Sequence, residues 1–113
     1  MKDIIISTVD INKDYTILGP VYDQVCNIGI FKSKLSKLKK EYADKIEDLK
    51  HANKWVFGEG DYGEAFFIIT EELKKNAIKL GADAIIDMHQ NLHYDDNLSF
   101  YNMQIYGTAV KFI

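Results

Sequence analysis

Two runs of alternating polar and apolar residues end the chain, and Asp95-Asp96-Asn97 stands between them. This pattern is typical of a β-hairpin, because successive side chains of a strand point to opposite faces. If Asp96-Asn97 forms a two-residue turn, every apolar residue of one strand faces an apolar residue of the other. A slip by one residue would destroy that separation, so the pattern itself predicts the register.

The predicted register gives the hairpin one polar face and one apolar face. The polar pairs are Asn91 with Asn102, His89 with Gln104 and Asp87 with Tyr106; the apolar pairs are Leu92 with Tyr101, Met88 with Ile105 and Ile86 with Gly107. Gly107 removes a side chain from the apolar face, so we expect a helix to approach the backbone closely there. The polar face is solvated, buried in a subunit contact, or a binding site.

Two segments upstream of the hairpin have the apolar spacing of amphipathic helices. Apolar residues recur at intervals of three and four over 31–50 and again over 64–80. Gly81 follows the second segment at the position where a helix commonly ends. We therefore predict two helices, of which the second packs on the apolar face of the hairpin, joined by a loop over 53–63. Trp55 in that loop either folds back on the core or marks an interface.

The N-terminal residues predict two strands. A short β-rich run covers Ile4 to Val9, and a second extended stretch follows a turn and runs from Tyr15 to about Cys26. Alternation in the second stretch predicts one buried face, and Gly19-Pro20 predicts an edge strand or a bulge, since proline donates no ladder hydrogen bond. The residues expected on the buried face are Tyr15, Ile17, Val21 and Val25.

Length and composition indicate one soluble domain spanning residues 1–113. The net charge of −3 is unlike the basic excess of nucleic-acid-binding proteins. The single cysteine, Cys26, cannot form an internal disulfide, which favours a reducing compartment. No apolar run approaches the roughly 20 residues that a membrane helix needs. We predict a cytoplasmic protein with no membrane or nucleic-acid partner.

The polar residues of the hairpin include the candidate metal ligands Asp87, His89 and His93. The two histidines are four residues apart, which on a strand separates them by ~13 Å. Asp87 and His89 are two residues apart and could share a divalent ion such as zinc with a group across the strands. The alternative is a polar sheet face with ordinary surface histidines. Cys26 is either a small core residue or half of a nucleophile pair, and nothing nearby in sequence activates it.

The segment 31–50 is rich in lysine and has two interpretations. A basic amphipathic helix suits a membrane surface or an acidic partner. Acidic residues alternate with the lysines, however, as they do on a solvated helix face. The second interpretation is favoured, and the first remains the basis for a protein-interaction role.

Four short motifs together resemble the YbjQ-like family, which carries the label of heavy-metal-binding domains. They are Ile6-Ser7-Thr8, Gly19-Pro20-Val21, the segment from Leu80-Gly81 to Ile85-Ile86, and Gly107-Thr108-Ala109-Val110. The resemblance covers roughly 4–30 and 64–112. The chain departs from the family at Asp23-Gln24, where a glycine-glutamate pair is usual, at Asp87, where glycine is frequent, and in its long lysine-rich middle.

The resemblance implies a β-β-α-β-β domain that assembles into a pentameric ring. We therefore expect an α+β fold: a small antiparallel sheet on a long helix, with an extra helix over 31–50. The expected function is that of a non-enzymatic homo-oligomer which binds a metal ion or a small ligand. A protein-interaction module using 31–50 and an enzyme with an inter-subunit site are the alternatives.

Overall fold

The computed structural model describes residues 3–27, 32–58, 60–95 and 100–113. The elements are β1 (Ile5–Ile6), β2 (Tyr15–Cys26), α1 (Lys32–His51), α2 (Gly60–Lys79), β3 (Ala84–Asp95) and β4 (Phe100–Phe112). The strands form one sheet in the order β1-β3-β4-β2. Helix α2 lies across β2, β4 and β3, and α1 packs against α2 and β2. The predicted α+β class is confirmed.

The sheet is mixed, so the prediction of a purely antiparallel sheet is wrong for β1. Strand β1 runs parallel to β3, with Ile5 opposite Ala84 and Ile6 opposite Ile85. The strand expected over 4–9 is short, but its backbone continues along β3: Met88 N donates to Ser7 O at 3.0 Å. The reason is the order of the chain, because β2 and both helices separate β1 from β3 and allow a parallel return.

The main core lies between α2 and the sheet. Its fully buried side chains come from every layer, and burying each one contributes roughly 1.5–3 kcal/mol. They include Val25 of β2, Ile69 and Leu73 of α2, Ile85 of β3 and Ile105 of β4. This burial holds β2, β3 and β4 by one face. On the opposite face a smaller apolar cluster of Ala84, Ile86 and Val110 is buried at the end where β3 begins, and the rest of that face is left to other uses.

Both helices lie within a few residues of their predicted bounds. Gly81, with φ +84°, ends α2 as expected, and its N–H donates to Ile78 O at 2.9 Å. Helix α2 begins at Gly60, earlier than predicted. Gly63 explains this start, because a Cβ there would lie 2.6 Å from the Phe57 carbonyl oxygen. The glycine-rich segment therefore lets the first turn of α2 touch the loop before it.

Strand β2 contains a bulge that the sequence pattern only half predicts. Ile17 faces Val110 and Gly19 faces Ala109, so Leu18 is an extra residue in β2. The predicted bulge near Gly19-Pro20 and the predicted edge position are both confirmed. The predicted common face is wrong: Val21 and Val25 are buried, whereas Ile17 is 66% exposed and lies with Tyr15 on the other face.

The observed hairpin register differs from the prediction by two residues. Asp95 faces Phe100, so the loop holds four residues instead of two, and the predicted turn at Asp96-Asn97 lies outside the described residues. The six predicted pairs are therefore wrong. The observed pairs include His89 with Tyr106, Asn91 with Gln104, Leu92 with Met103 and His93 with Asn102. A shift of two keeps each side chain on its face, so the polar–apolar separation survives.

A second bulge, in β3, changes which residues share a face. The pairing shifts between Ile86 and His89, and Asp87 in this bulge has φ +51°. Ile86 consequently lies on the face opposite Met88, contrary to the prediction that they share one. The expected helix approach at Gly107 is also wrong. A Cβ there would lie 2.7 Å from Ile85 Cγ2, so strand β3, not a helix, takes the space.

Candidate functional site

The face of the sheet turned away from the helices presents three cross-strand rows, which we call the polar grid. Each row takes one residue from β2, one from β4 and one from β3. The rows are Tyr22–Tyr106–His89, Gln24–Gln104–Asn91 and Cys26–Asn102–His93. The alternation of β4 creates this surface: Asn102, Gln104 and Tyr106 belong to the grid, while Met103 and Ile105 between them are buried.

Hydrogen bonds and ring stacking order part of the grid. Tyr22 Oη donates to Gln24 Oε1, and Gln24 Nε2 donates to Asn102 Oδ1 at 3.0 Å. The rings of His89 and Tyr106 stack, with centroids 5.4 Å apart and planes 26° from parallel. The contributions of β2 were not predicted, because strand order cannot be read from local alternation. The polar alternation of Tyr22, Gln24 and Cys26 is the signal that could have suggested them.

The structure separates the three predicted metal ligands. His89 and His93 lie in the first and third rows, and Asp87 lies in the β3 bulge. In the parts of the chain that the structure describes, no three His, Cys, Asp or Glu side chains gather into a metal-binding group. A divalent ion on Asp87, His89 and His93 therefore stays a prediction that needs a further ligand.

Asp87 also influences the pKa of Tyr15, which lies at the end of the sheet beyond the grid. Tyr15 Oη donates to Asp10 Oδ1 at 2.7 Å, and this hydrogen bond is the largest cause of the raised pKa of Tyr15. Desolvation and the negative charges of Asp10 and Asp87 raise the pKa further, because each disfavours the phenolate. The carboxylate of Asp87 is thus within electrostatic reach of Tyr15.

Cys26 is buried at the end of the third row. His93 lies in the same row, but β4 separates the two strands, which places them roughly 10 Å apart at about 4.8 Å per strand. A thiol and its general base must lie within hydrogen-bond reach. This row does not form such a pair.

Tyr101, on the helix side of β4, has a buried hydroxyl without a hydrogen-bond partner among the described residues. Burial, helped by nearby negative groups including Asp61, raises the pKa of Tyr101 to about 12. Its ring meets that of Tyr62 edge-on, with centroids 4.8 Å apart. The contacts are those of a packing residue.

Lysines of helix α1 pair with acidic residues of β2 and α2 where the helix meets the rest of the chain. Three of its lysines form ion pairs with other elements: Lys34 with Asp23 at 2.9 Å, Lys39 with Asp61 at 3.1 Å, and Lys45 with Glu71 at 2.9 Å. The surface therefore carries both signs of charge. This arrangement supports the interpretation of 31–50 as a solvated helix face.

Trp55 folds back on the core. Its ring lies 5.4 Å from that of Phe67 and 5.2 Å from that of Phe57, measured between centroids. Its indole N–H donates to Gly58 O at 2.6 Å. A groove of about 700 Å³ runs beside this aromatic cluster between α1 and α2. Its rim charges are largely paired with one another, so the polar grid is the better candidate site.

No helix among the described residues is long and apolar enough to cross a membrane. Comparison with known proteins finds no matching family model and no matching curated protein. Among solved structures, the chain is similar to a protein of unknown function from Pediococcus pentosaceus that belongs to the DUF74 family. The two share 21% identity with a TM-score of 0.55, over 97% of this chain and 98% of the other. This similarity shows a common α+β fold.

Proposed function

We propose that the chain is a non-enzymatic YbjQ-like domain that assembles into a closed homo-oligomeric ring and binds a small ligand or a metal ion on its polar grid. A pentamer is the size that the resemblance implies. The observation that supports this proposal best is the presence of two open strand edges on opposite sides of one sheet.

The first open edge is the outer side of β2, which pairs only with β4 among the described strands. The second is the outer side of β3 beyond Met88, because β1 pairs only with Ala84 and Ile85 and the residues after it reach no further than Met88. Lys34 Nζ donates to Gln24 O at 3.2 Å and covers one point of the β2 edge. Open edges of this length are templates for pairing with another chain.

Strand direction favours a ring over a two-fold dimer. Both β2 and β3 are antiparallel to β4, so they run in the same direction. Rotation about an axis along the strands preserves direction, and β2 of one copy would then meet β3 of the next in a parallel ladder. A two-fold dimer through β2 would leave the β3 edge open, whereas a ring closes both edges in every copy.

The layers of the subunit support an orientation for the ring. The helices make one side of the sheet much thicker than the other, and the outer circumference of a ring has more room than the inner one. In the proposed ring the helices therefore lie outside and the polar grids turn towards the axis. Repeated around the axis, the grids would give a concave polar surface, which is the usual form of a ligand site.

The test is the mass in solution, measured by light scattering for the wild type and two matched variants. Leu92→Lys adds a charge to the open part of β3, where Leu92 is 48% exposed, and should reduce the assembly to smaller species. Leu80→Lys is the control, because Leu80 is 49% exposed at the end of α2, away from both edges. It should keep the wild-type mass. A monomeric wild type would contradict the proposal.

Elemental analysis of the same peak tests the metal ion. A stoichiometric divalent ion that is lost in His89→Ala would assign the metal to the grid. An oligomer without metal would support a small ligand instead of a metal ion.

The interaction role of 31–50 has weaker support, because Lys34, Lys39 and Lys45 are paired within the chain. An inter-subunit enzyme site stays an alternative: Cys26 and His93 lie two strands apart within one subunit, so such a pair would form only across the proposed contact between β2 and β3 of neighbouring copies.

A further inference from the structure

We infer that the ligand of the polar grid is an uncharged ring compound with hydrogen-bonding edges, a chemistry that nucleosides and monosaccharides share. This inference rests on the proposed function, because it names the class of ligand for the same surface. Its support comes from charge, from an aromatic row and from the ordered amides.

The charge of the grid selects against anions and hard cations. None of its nine residues is Asp, Glu, Lys or Arg. A phosphate or carboxylate ligand would find no lysine or arginine there, and charge-assisted hydrogen bonds are the ones that hold such groups strongly. A hard cation would find no carboxylate within the rows. An uncharged ligand needs no charged side chain as a partner, so it is the best electrostatic match to the grid.

The first row offers ring faces to a ligand. Tyr22 is 50% exposed and Tyr106 is 40% exposed, although neither lies at a chain end or in a loop. His89 stacks on Tyr106, which holds that ring in place. Exposed aromatic rings fixed on a sheet are suitable for stacking with flat bases and for packing against the apolar face of a sugar.

The second and third rows offer hydrogen bonds beside these rings. Tyr22, Gln24 and Asn102 form a hydrogen-bonded chain, so two amides are held in fixed orientations before any ligand arrives. No other described side chain bonds to the amides of Asn91 and Gln104, and Asn91 is exposed. Each amide has two donors and an acceptor oxygen. A ring stacked on the first row would therefore have polar groups within reach along its edge.

The experiment uses the full-length chain and saturation-transfer NMR with three kinds of probe: adenosine and uridine, glucose, and inorganic phosphate. We expect saturable binding of the nucleosides or of glucose, and none of phosphate. Tyr106→Ala should weaken binding about tenfold, the size of one base–aromatic stacking contact. Tyr94→Ala is the matched control, since Tyr94 is also an exposed β3 tyrosine, at 53%, but lies on the other face.

Each outcome either supports or overturns the inference. Binding of nucleosides alone identifies a heterocycle site, and binding of glucose alone identifies a sugar site. Binding of phosphate alone, binding that Tyr106→Ala does not weaken, or no binding of any ring compound overturns it. Tyr106→Phe keeps the ring, so it should bind within about threefold of wild type, whereas a loss equal to that of Tyr106→Ala would contradict the stacking role. Light scattering on the same samples separates the two claims: an oligomer that binds no ring compound overturns this inference alone, and a monomer overturns the proposed function.

Discussion

The two faces of the sheet are built from alternate residues of the same strands, yet they differ in almost every physical property. On the helix side, Met103, Ile105 and Ala109 of β4 are at most 1% exposed. On the other side, Asn102, Gln104 and Thr108 are partly exposed and Tyr106 is exposed. The larger core lies on the helix side, and a smaller buried cluster of Ala84, Ile86 and Val110 lies on the other side, at the end of the sheet beyond the grid.

This difference separates the residues that a fold requires from those that are available for function. A side chain buried under α2 is constrained in volume by its neighbours, because protein interiors are close-packed. The exposed side chains of the polar grid have no such constraint, although Cys26 at its end is buried. Their identities can therefore reflect what the surface contacts, and the exposed tyrosines and ordered amides are the features on which the proposed ligand site rests.

The comparison of the two faces predicts its largest effect on the free energy of unfolding, from two neighbouring substitutions in β4. Ile105→Ala removes a side chain that is 0% exposed and should lower the free energy of unfolding by about 2–5 kcal/mol. Gln104→Ala, one residue away on the grid, should change it by no more than about 0.5 kcal/mol. Urea unfolding followed by circular dichroism measures both. Equal losses would mean that the grid is as important for folding as the core.

Gly107→Ala should cause a smaller loss in the free energy of unfolding. Gly107 lies in β4 beside the bulge of β3. The new methyl group would lie 2.7 Å from Ile85 Cγ2, and overpacking of this kind costs about 1–3 kcal/mol. Ile85→Leu removes that Cγ2 branch, so Gly107→Ala should cost less in an Ile85→Leu background. A double-mutant cycle in urea checks this; an unchanged cost would mean that the Ile85 side chain is not the source of the clash.

The pH dependence of stability should sharpen the comparison on the helix side. Unfolded tyrosine ionises near pH 10.0, whereas burial raises the pKa of Tyr101 to about 12. The neutral phenol therefore contributes stability that is complete below pH 10 and is lost as the pH rises towards 12. Tyr101→Phe should make the alkaline fall in stability smaller than in the wild type. Some fall should persist, because the pKa of Tyr42 is raised as well. Denaturant titrations of the wild type and of Tyr101→Phe at several pH values measure this difference in the alkaline fall. Identical profiles for the two proteins would contradict the expectation.

The smallest predicted effect is a gain in the free energy of unfolding, from a substitution in the β3 bulge. Asp87 has φ +51°, a conformation that glycine adopts without steric cost, so Asp87→Gly should stabilise the fold by up to about 1 kcal/mol. Asp87→Ala is the control and should give no gain. Thermal unfolding checks both variants. A destabilised Asp87→Gly would show that the carboxylate supports the bulge by a contact that outweighs the strain.

The sequence predicts the parts of this fold that depend on local periodicity. Both helices follow from apolar spacing, and the alternation over 101–107 places the correct residues of β4 on each face. The polar residues of the candidate site, from His89 to Tyr106, follow from the same alternation. Gly81 and Gly19-Pro20 mark the helix end and the bulge because both depend on backbone chemistry within a few residues.

The sequence does not predict features that depend on an inserted residue or on strand order. Leu18 and the bulge at Asp87 each add one residue to a strand, and hydrophobic alternation does not show where the phase changes. The hairpin register differs because a four-residue loop and a two-residue turn preserve the same alternation. The contribution of Tyr22 and Gln24 to the grid depends on β2 lying beside β4, which no local pattern specifies.

The most direct test of the proposed assembly is amide hydrogen exchange of β2, measured residue by residue in the wild type and in Leu92→Lys. Amides of β2 that point towards β4 should be protected in both proteins. Amides on the outer side should be protected in the wild type, because a second copy covers them, and should exchange quickly in Leu92→Lys. Fast exchange of the outer amides in the wild type would show that the edge is open to water and would contradict the ring.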